Sequence, residues 1–177
     1  NNMYVYPSFS GSFVFSELLK LGDKLPYGKV RMSWAQVGSD TDPYQLGLVY
    51  TKSKFAYPGY TIGYISNGTI PNKALKPTKT NSFEMGLELK FLKNRIGLDF
   101  TYYSQLSKNQ IMGMASSSTS GYGYRLINAG EIENKGVEIA LNTRPIQTKD
   151  FSWDLNFNFS KNSNKVKKLV DDMDMFE

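Results

Sequence analysis

The chain has 177 residues, 40% hydrophobic and 14% aromatic, with 21 Lys and Arg against 16 Asp and Glu for a formal net charge of +5. The absence of cysteine excludes disulfide scaffolds, thiol nucleophiles and Cys-ligated zinc, and the absence of histidine excludes Ser-His-Asp and Cys-His catalysis within the chain. The expectation is therefore not an enzyme, with no catalytic, cofactor-binding or metal-ligating residues assigned; the scattered basic residues also lack the clustering of a nucleic-acid footprint.

No run approaches the roughly eighteen apolar residues of a transmembrane helix. Asn1 opens no signal peptide, so the chain is expected to begin inside a longer or processed protein. From Tyr4 to Ser16, Val5, Pro7, Phe9, Gly11, Phe13 and Phe15 alternate with a face made mostly of serine, a period-two pattern that predicts a strand over 4–16. Pro7 removes a backbone donor and is expected at that strand's start or edge. Residues 17–27 read as a connection, with a helical turn at Ser16–Lys20. A second strand is expected over 28–37, with Val30, Met32 and Trp34 opposite Arg31, Ser33 and Ala35.

Residues 38–80 lose the alternation and are rich in Gly, Pro, Asp, Asn and Ser, yet they carry several aromatic residues. A loop of this length is usually functional or disordered, and aromatics argue against plain disorder. Tyr57, Tyr60 and Tyr64 are candidate substrate contacts, as flat faces on exposed loops; the alternative is that they pack within the loop. Asp40-x-Asp42, and Asp171-Asp172-x-Asp174 near the end of the chain, offer oxygen ligands without completing a calcium loop, so turn chemistry and a solvated acidic segment are expected there.

The clearest hairpin follows. Phe83, Met85, Leu87, Leu89 and Phe91 alternate with Glu84, Gly86, Glu88 and Lys90, and after Leu92-Lys93-Asn94 the residues Ile96, Leu98, Phe100 and Tyr102 alternate with Arg95, Gly97, Asp99 and Thr101. Strands are expected over 81–91 and 95–104. Nine residues rise about 30 Å, and a tilt of roughly 40° reduces this to about 23 Å, close to the apolar band of an outer-membrane barrel. The charged face would then look into a wet lumen. Glu84 and Glu88 are also a carboxylate pair, but four residues along a strand is about 13 Å, beyond either glycosidase spacing.

A second long loop is expected over 104–130, with the run Ala115–Ser120 followed by Tyr122 and Tyr124, two further candidate substrate contacts. Strands are expected over 134–144 and 151–160, the latter alternating Phe151, Trp153, Leu155, Phe157 and Phe159 with Ser152, Asp154, Asn156, Asn158 and Ser160. Lys161, Lys165, Lys167 and Lys168 follow, at a rim where lipopolysaccharide phosphates would be available or where they would simply be solvated. Short turns alternate with long loops; in an outer-membrane barrel short turns face the periplasm and long loops face outside.

The blocks LKPTKTNSFEMGL at 75–87, NRIGLDFTYY at 94–103 and INAGEIENKGVEI at 127–139, in this order and spacing, resemble the barrel of SusC/RagA-type TonB-dependent transporters of Bacteroidetes. The resemblance covers nearly the whole chain and is weakest over 39–64. It implies an all-β fold: an antiparallel transmembrane meander of about six strands from a barrel of about 22. It further implies the outer membrane of a Gram-negative bacterium as the location, uptake of oligosaccharides or peptides, a SusD-like surface lipoprotein as partner, and coupling to the TonB system. The residues that match include no plug domain and no TonB-contacting segment. The alternative reading is a soluble β-sandwich, a carbohydrate-binding or adhesin module whose apolar face packs on a second sheet.

Overall fold

The computed structural model describes residues 4–22, 25–40, 46–48, 50–54, 58–65 and 68–169. The strands are β1 (Ser8–Val14), β2 (Tyr27–Ser39), β3 (Tyr50–Lys52), β4 (Gly63–Ile65), β5 (Thr69–Ile70), β6 (Thr78–Phe91), β7 (Ile96–Lys108), β8 (Ile111–Ala115), β9 (Tyr124–Asn128), β10 (Glu131–Gln147) and β11 (Ser152–Lys168), with a short α-helix, α1 (Phe15–Leu19), and a 3-10 turn at Ser118–Ser120. Six of the strands form one sheet in the order β1-β2-β6-β7-β10-β11, so every neighbour in it is also the next of these six along the chain. That is the meander expected from the alternating segments.

The chain divides into two units, the first comprising Asn1–Val37, Thr80–Leu106 and Ile132–Val166 and the second Gly38–Lys79, Ser107–Glu131 and Lys167–Glu177. In the first unit the register of β1 on β2 keeps the two faces distinct: Phe9 lies opposite Trp34 and Phe13 opposite Val30, whereas Ser10 lies opposite Ser33 and Ser12 opposite Arg31. The rings of Phe9 and Trp34 stack with centroids 6.0 Å apart. Pro7 stands just before β1, where its carbonyl accepts a hydrogen bond from the Gln36 N–H at 2.9 Å and its missing donor breaks no ladder.

The apolar face of this sheet is not buried by protein. Phe9 is 70% exposed, Phe157 58% and Trp153 47%, and Phe83, Leu87, Leu98 and Val137 are only half-buried. Among the described residues the buried ones are few: Ala129, Ser16 and three glycines, Gly28, Gly86 and Gly136. A water-soluble sheet must cover one face with a second layer. A sheet whose apolar side meets hydrocarbon does not.

The turns are tight. Leu92, Lys93 and Asn94 are all left-handed, with φ of 50°, 57° and 66°, and the Arg95 N–H closes on the Leu92 carbonyl at 3.2 Å. In the turn from β10 to β11 the Thr148 N–H and hydroxyl both donate to the Phe151 carbonyl, at 2.7 and 3.1 Å.

In the second unit, the stretches expected as long loops over 38–80 and 104–130 carry their own pairing. β3 pairs antiparallel with β4, and β5, β9 and β8 form a three-stranded sheet in which β5 runs parallel to β9. Their members are two to five residues long, too short for a period to register in sequence. The long strands also extend into these stretches: β6 starts at Thr78, β7 runs to Lys108 and β11 to Lys168. Lys161, Lys165, Lys167 and Lys168 therefore belong to β11 and do not follow it, because polar residues continue a ladder when a neighbouring strand supplies the partners.

Candidate functional site

Among the described residues two places concentrate polar chemistry, one in each unit. The first is the charged face of the six-stranded sheet. Arg31 on β2 donates from Nη1 and Nη2 to the two carboxylate oxygens of Asp99 on β7, at 3.1 and 3.0 Å, and from Nη2 to the Thr101 hydroxyl at 2.7 Å. The strand between them, β6, places Gly86 at the crossing, where a Cβ would meet the Arg31 side chain. Neighbouring strands lie about 4.8 Å apart, so the pair spans close to 10 Å, within reach of an extended arginine when nothing stands in between.

Further along the same face, Lys29 and Lys90 flank Glu88, at 4.0 and 3.9 Å, and the Lys90 ammonium sits 4.9 Å from the centre of the Tyr27 ring. Arg144 and Asp154 pair at 2.6 Å next to the β10–β11 turn. Between these pairs run two open troughs, one of about 540 Å³ edged by Arg31, Asp99 and Glu138, the other of about 570 Å³ edged by Lys90, Arg144 and Asp154. Asn142 borders both. Charged side chains and the Asn142 amide line both troughs, a surface suited to hydrate and position polar groups.

Gly136 on the same face repeats the device at Gly86. A Cβ there would come within 2.6 Å of the Tyr103 hydroxyl oxygen and 2.5 Å of the Lys161 carbonyl. The Lys-Gly of the 127–139 block is thus the place where the Tyr103 ring crosses β10.

The second place is the loop cluster of the other unit. Asn128 Nδ2 donates to the carbonyls of Lys76 and Asn109, at 2.7 and 3.0 Å, and its Oδ1 accepts the Lys76 N–H at 2.7 Å. Asn72 adds a donor to the Leu126 carbonyl at 3.2 Å. Ala129 is buried beside them, and its N–H reaches the Gln110 carbonyl at 2.6 Å. Gly130 has φ of 79°, and a Cβ there would stand 2.8 Å from the Lys168 carbonyl. The Asn-Ala-Gly sequence is therefore a clamp that fixes residues 72–78 against residues 109–128.

The candidate substrate contacts fall in this unit but not in one place. Tyr60 is 74% exposed between β3 and β4, and Tyr64 on β4 lies opposite Thr51. Tyr124 opens β9 opposite Thr69 and Ala115, and its N–H, like that of Gly123, donates to the Gly68 carbonyl. Tyr122 is half-buried beside the seryl turn, where its N–H donates to the Ser120 hydroxyl at 3.3 Å. Tyr57 lies outside the described residues, as do Asp42 and the acidic residues 171–174. Sequence reasoning singled out none of the residues Arg31, Glu138 or Asn142 as partners of one surface, although all three stand at polar positions of alternating strands.

The family model described as "TonB dependent receptor-like, beta-barrel" matches residues 3–173. The chain belongs to the TonB-dependent receptor β-barrel family. A TonB-dependent receptor of Formosa agariphila is 31% identical over 185 residues, and the TonB-dependent receptor SusC of Bacteroides thetaiotaomicron is 30% identical over 186, each alignment covering 99% of this chain. The chain spans 18% of the length of those receptors. Among solved structures, the RagAB peptide transporter superposes with a TM-score of 0.81 at 23% identity, covering 94% of this chain and 18% of that one. The siderophore receptor PirA of Pseudomonas aeruginosa gives 0.54 at 20% identity, over 91% of this chain. The resemblance to SusC- and RagA-type barrels is thus upheld, the six-stranded sheet is an unclosed stretch of a barrel, and the β-sandwich alternative is set aside. These relatives are named as receptors and transporters rather than enzymes.

Proposed function

We propose that this chain is part of the wall of an outer-membrane transporter that takes up bulky nutrients, oligosaccharides or peptides, in a Gram-negative bacterium. The observation that carries this reading is the division of the six-stranded sheet into an exposed apolar face and a face of paired charges bridged across strands. Hydrocarbon is the solvent that suits the first, and a water-filled passage suits the second. A SusD-like surface lipoprotein on the side of the long loops and the TonB system on the side of the short turns are the partners that fit it.

Within this reading the exposed Tyr60, Tyr64 and Tyr124, with Tyr122 and Tyr57, contact cargo through their ring faces. Purifying the full-length receptor with its lipoprotein and identifying the ligand that accompanies it by mass spectrometry tests the proposal. A glycan or peptide is expected, and its binding should weaken when Tyr60 and Tyr124 are both replaced by alanine. A receptor that stays monodisperse in plain buffer without detergent would sink the membrane reading; unchanged binding in the double variant would remove the tyrosines from it.

A further inference from the structure

The side chains of Lys161 and Lys165 on β11 take part in none of the ion pairs described above. Asp154 and Asn156 border the second polar trough, so strict alternation puts Trp153, Leu155, Phe157 and Phe159 on the opposite, apolar face, and the same face continues through Lys161 and Lys165. Both lysines are exposed. On the adjacent strand β10 the residues at the corresponding level are Glu133 and Lys135, which pair with each other at 3.4 Å. Asp154 is the one acid in β11, and it is engaged by Arg144 on the polar face. At the other end of the apolar stretch, in the β10–β11 turn, Lys149 and Asp150 balance each other in sequence.

One step along a strand to the next residue on the same face is about 7 Å, and the polar layer on each side of a bilayer is about 6 Å thick. Lys161 therefore stands within one step of the last apolar residue, Phe159, at the depth where headgroup phosphates begin, and Lys165 stands beyond it. We propose that Lys161 and Lys165 form a binding ladder for the phosphate groups of a phosphorylated glycolipid of the outer leaflet, continuous with the hydrocarbon contact of Phe157 and Phe159. The proposal rests on the membrane-wall reading above. It assigns a specific lipid contact to residues which that reading leaves merely solvated.

The test uses the full-length receptor in zwitterionic detergent, titrated with bisphosphorylated lipid A, with dephosphorylated lipid A and with inorganic phosphate, reading the rise in thermal midpoint. Wild type is expected to respond to lipid A and not to the other two. The variant with K161Q and K165Q should bind lipid A about tenfold or more weakly, the variant with K161R and K165R should bind as wild type does, and K149Q at the opposite turn should leave binding unchanged. Equal affinity in the glutamine variant, loss of affinity in the arginine variant, or the same response to dephosphorylated lipid A or to phosphate alone would overturn the proposal. Detergent-independent solubility of the wild type would instead overturn the membrane reading itself.

Discussion

The guanidinium of Arg31 binds the carboxylate of Asp99 across a strand that belongs to neither, with both oxygens engaged at 3.0 and 3.1 Å. Gly86 is the residue that permits it, since any Cβ at that position would occupy the path of the arginine. The two groups are each about one-third exposed, at 34% and 35%, so the pair works in contact with water rather than in a dry interior. A bidentate pair in such a setting contributes about 1 kcal/mol.

A double-mutant cycle of Arg31→Ala and Asp99→Ala in the full-length receptor, read by unfolding in detergent, is therefore expected to give a coupling energy of about 1 kcal/mol. Repeating the cycle with Gly86→Val should bring the coupling close to zero, because the valine side chain displaces the arginine. A coupling that survives in the Gly86→Val background would mean the arginine reaches Asp99 by another route.

Leu87 lies at the middle of the apolar run from Phe83 to Phe91 on β6. Leu87→Arg is expected to destabilise the folded barrel in lipid by about 2–4 kcal/mol, whereas Glu88→Gln, one residue on and facing the other way, should change stability by less than about 1 kcal/mol. Equilibrium unfolding into lipid vesicles measures both. Equal costs at the two positions would contradict the division of faces.

Asn128 holds residues 72–78 through both ends of its amide. Asn128→Ala leaves the Lys76 N–H and C=O and the Asn109 C=O to water, at a local cost of about 0.5–1.5 kcal/mol. Hydrogen exchange should accelerate at Lys76 and over 109–128 while the central residues of β6 and β7 keep their protection. Unchanged exchange at Lys76 would show that the clamp is redundant.

The Leu92-Lys93-Asn94 turn keeps three successive non-glycine residues at positive φ. A left-handed backbone costs an L-residue about 1–2 kcal/mol, so Lys93→Gly removes part of this strain and is expected to raise stability by about 0.5–1 kcal/mol, offset somewhat by glycine's greater freedom when unfolded. The unfolding midpoint of the variant checks the sign.

What the amino-acid order determined by itself is the two-faced character of the sheet. The apolar positions of β6, β7 and β11 recur every second residue, and that period is a property of the extended backbone alone, independent of what each strand pairs with. The pairing of β6 with β7 and of β10 with β11 follows as well, since a short turn joins each pair. The residues 127–139 gave the family through a specific string, yet the string's physical purpose was not readable from it. Asn128 and Gly136 act on residues far away in sequence, at Lys76 and Tyr103, and only folding brings those together.

The same holds for Arg31 and Asp99, 68 residues apart, whose bond depends on β6 lying between their strands with a glycine at the crossing. The short strands within 38–80 and 104–130 were equally hidden, because two to five residues carry no period and their pairing is decided by backbone partners rather than by side-chain pattern. Local alternation fixes which way a side chain points. Which distant side chain it then meets is set by strand order and register, and these exist only in the assembled sheet.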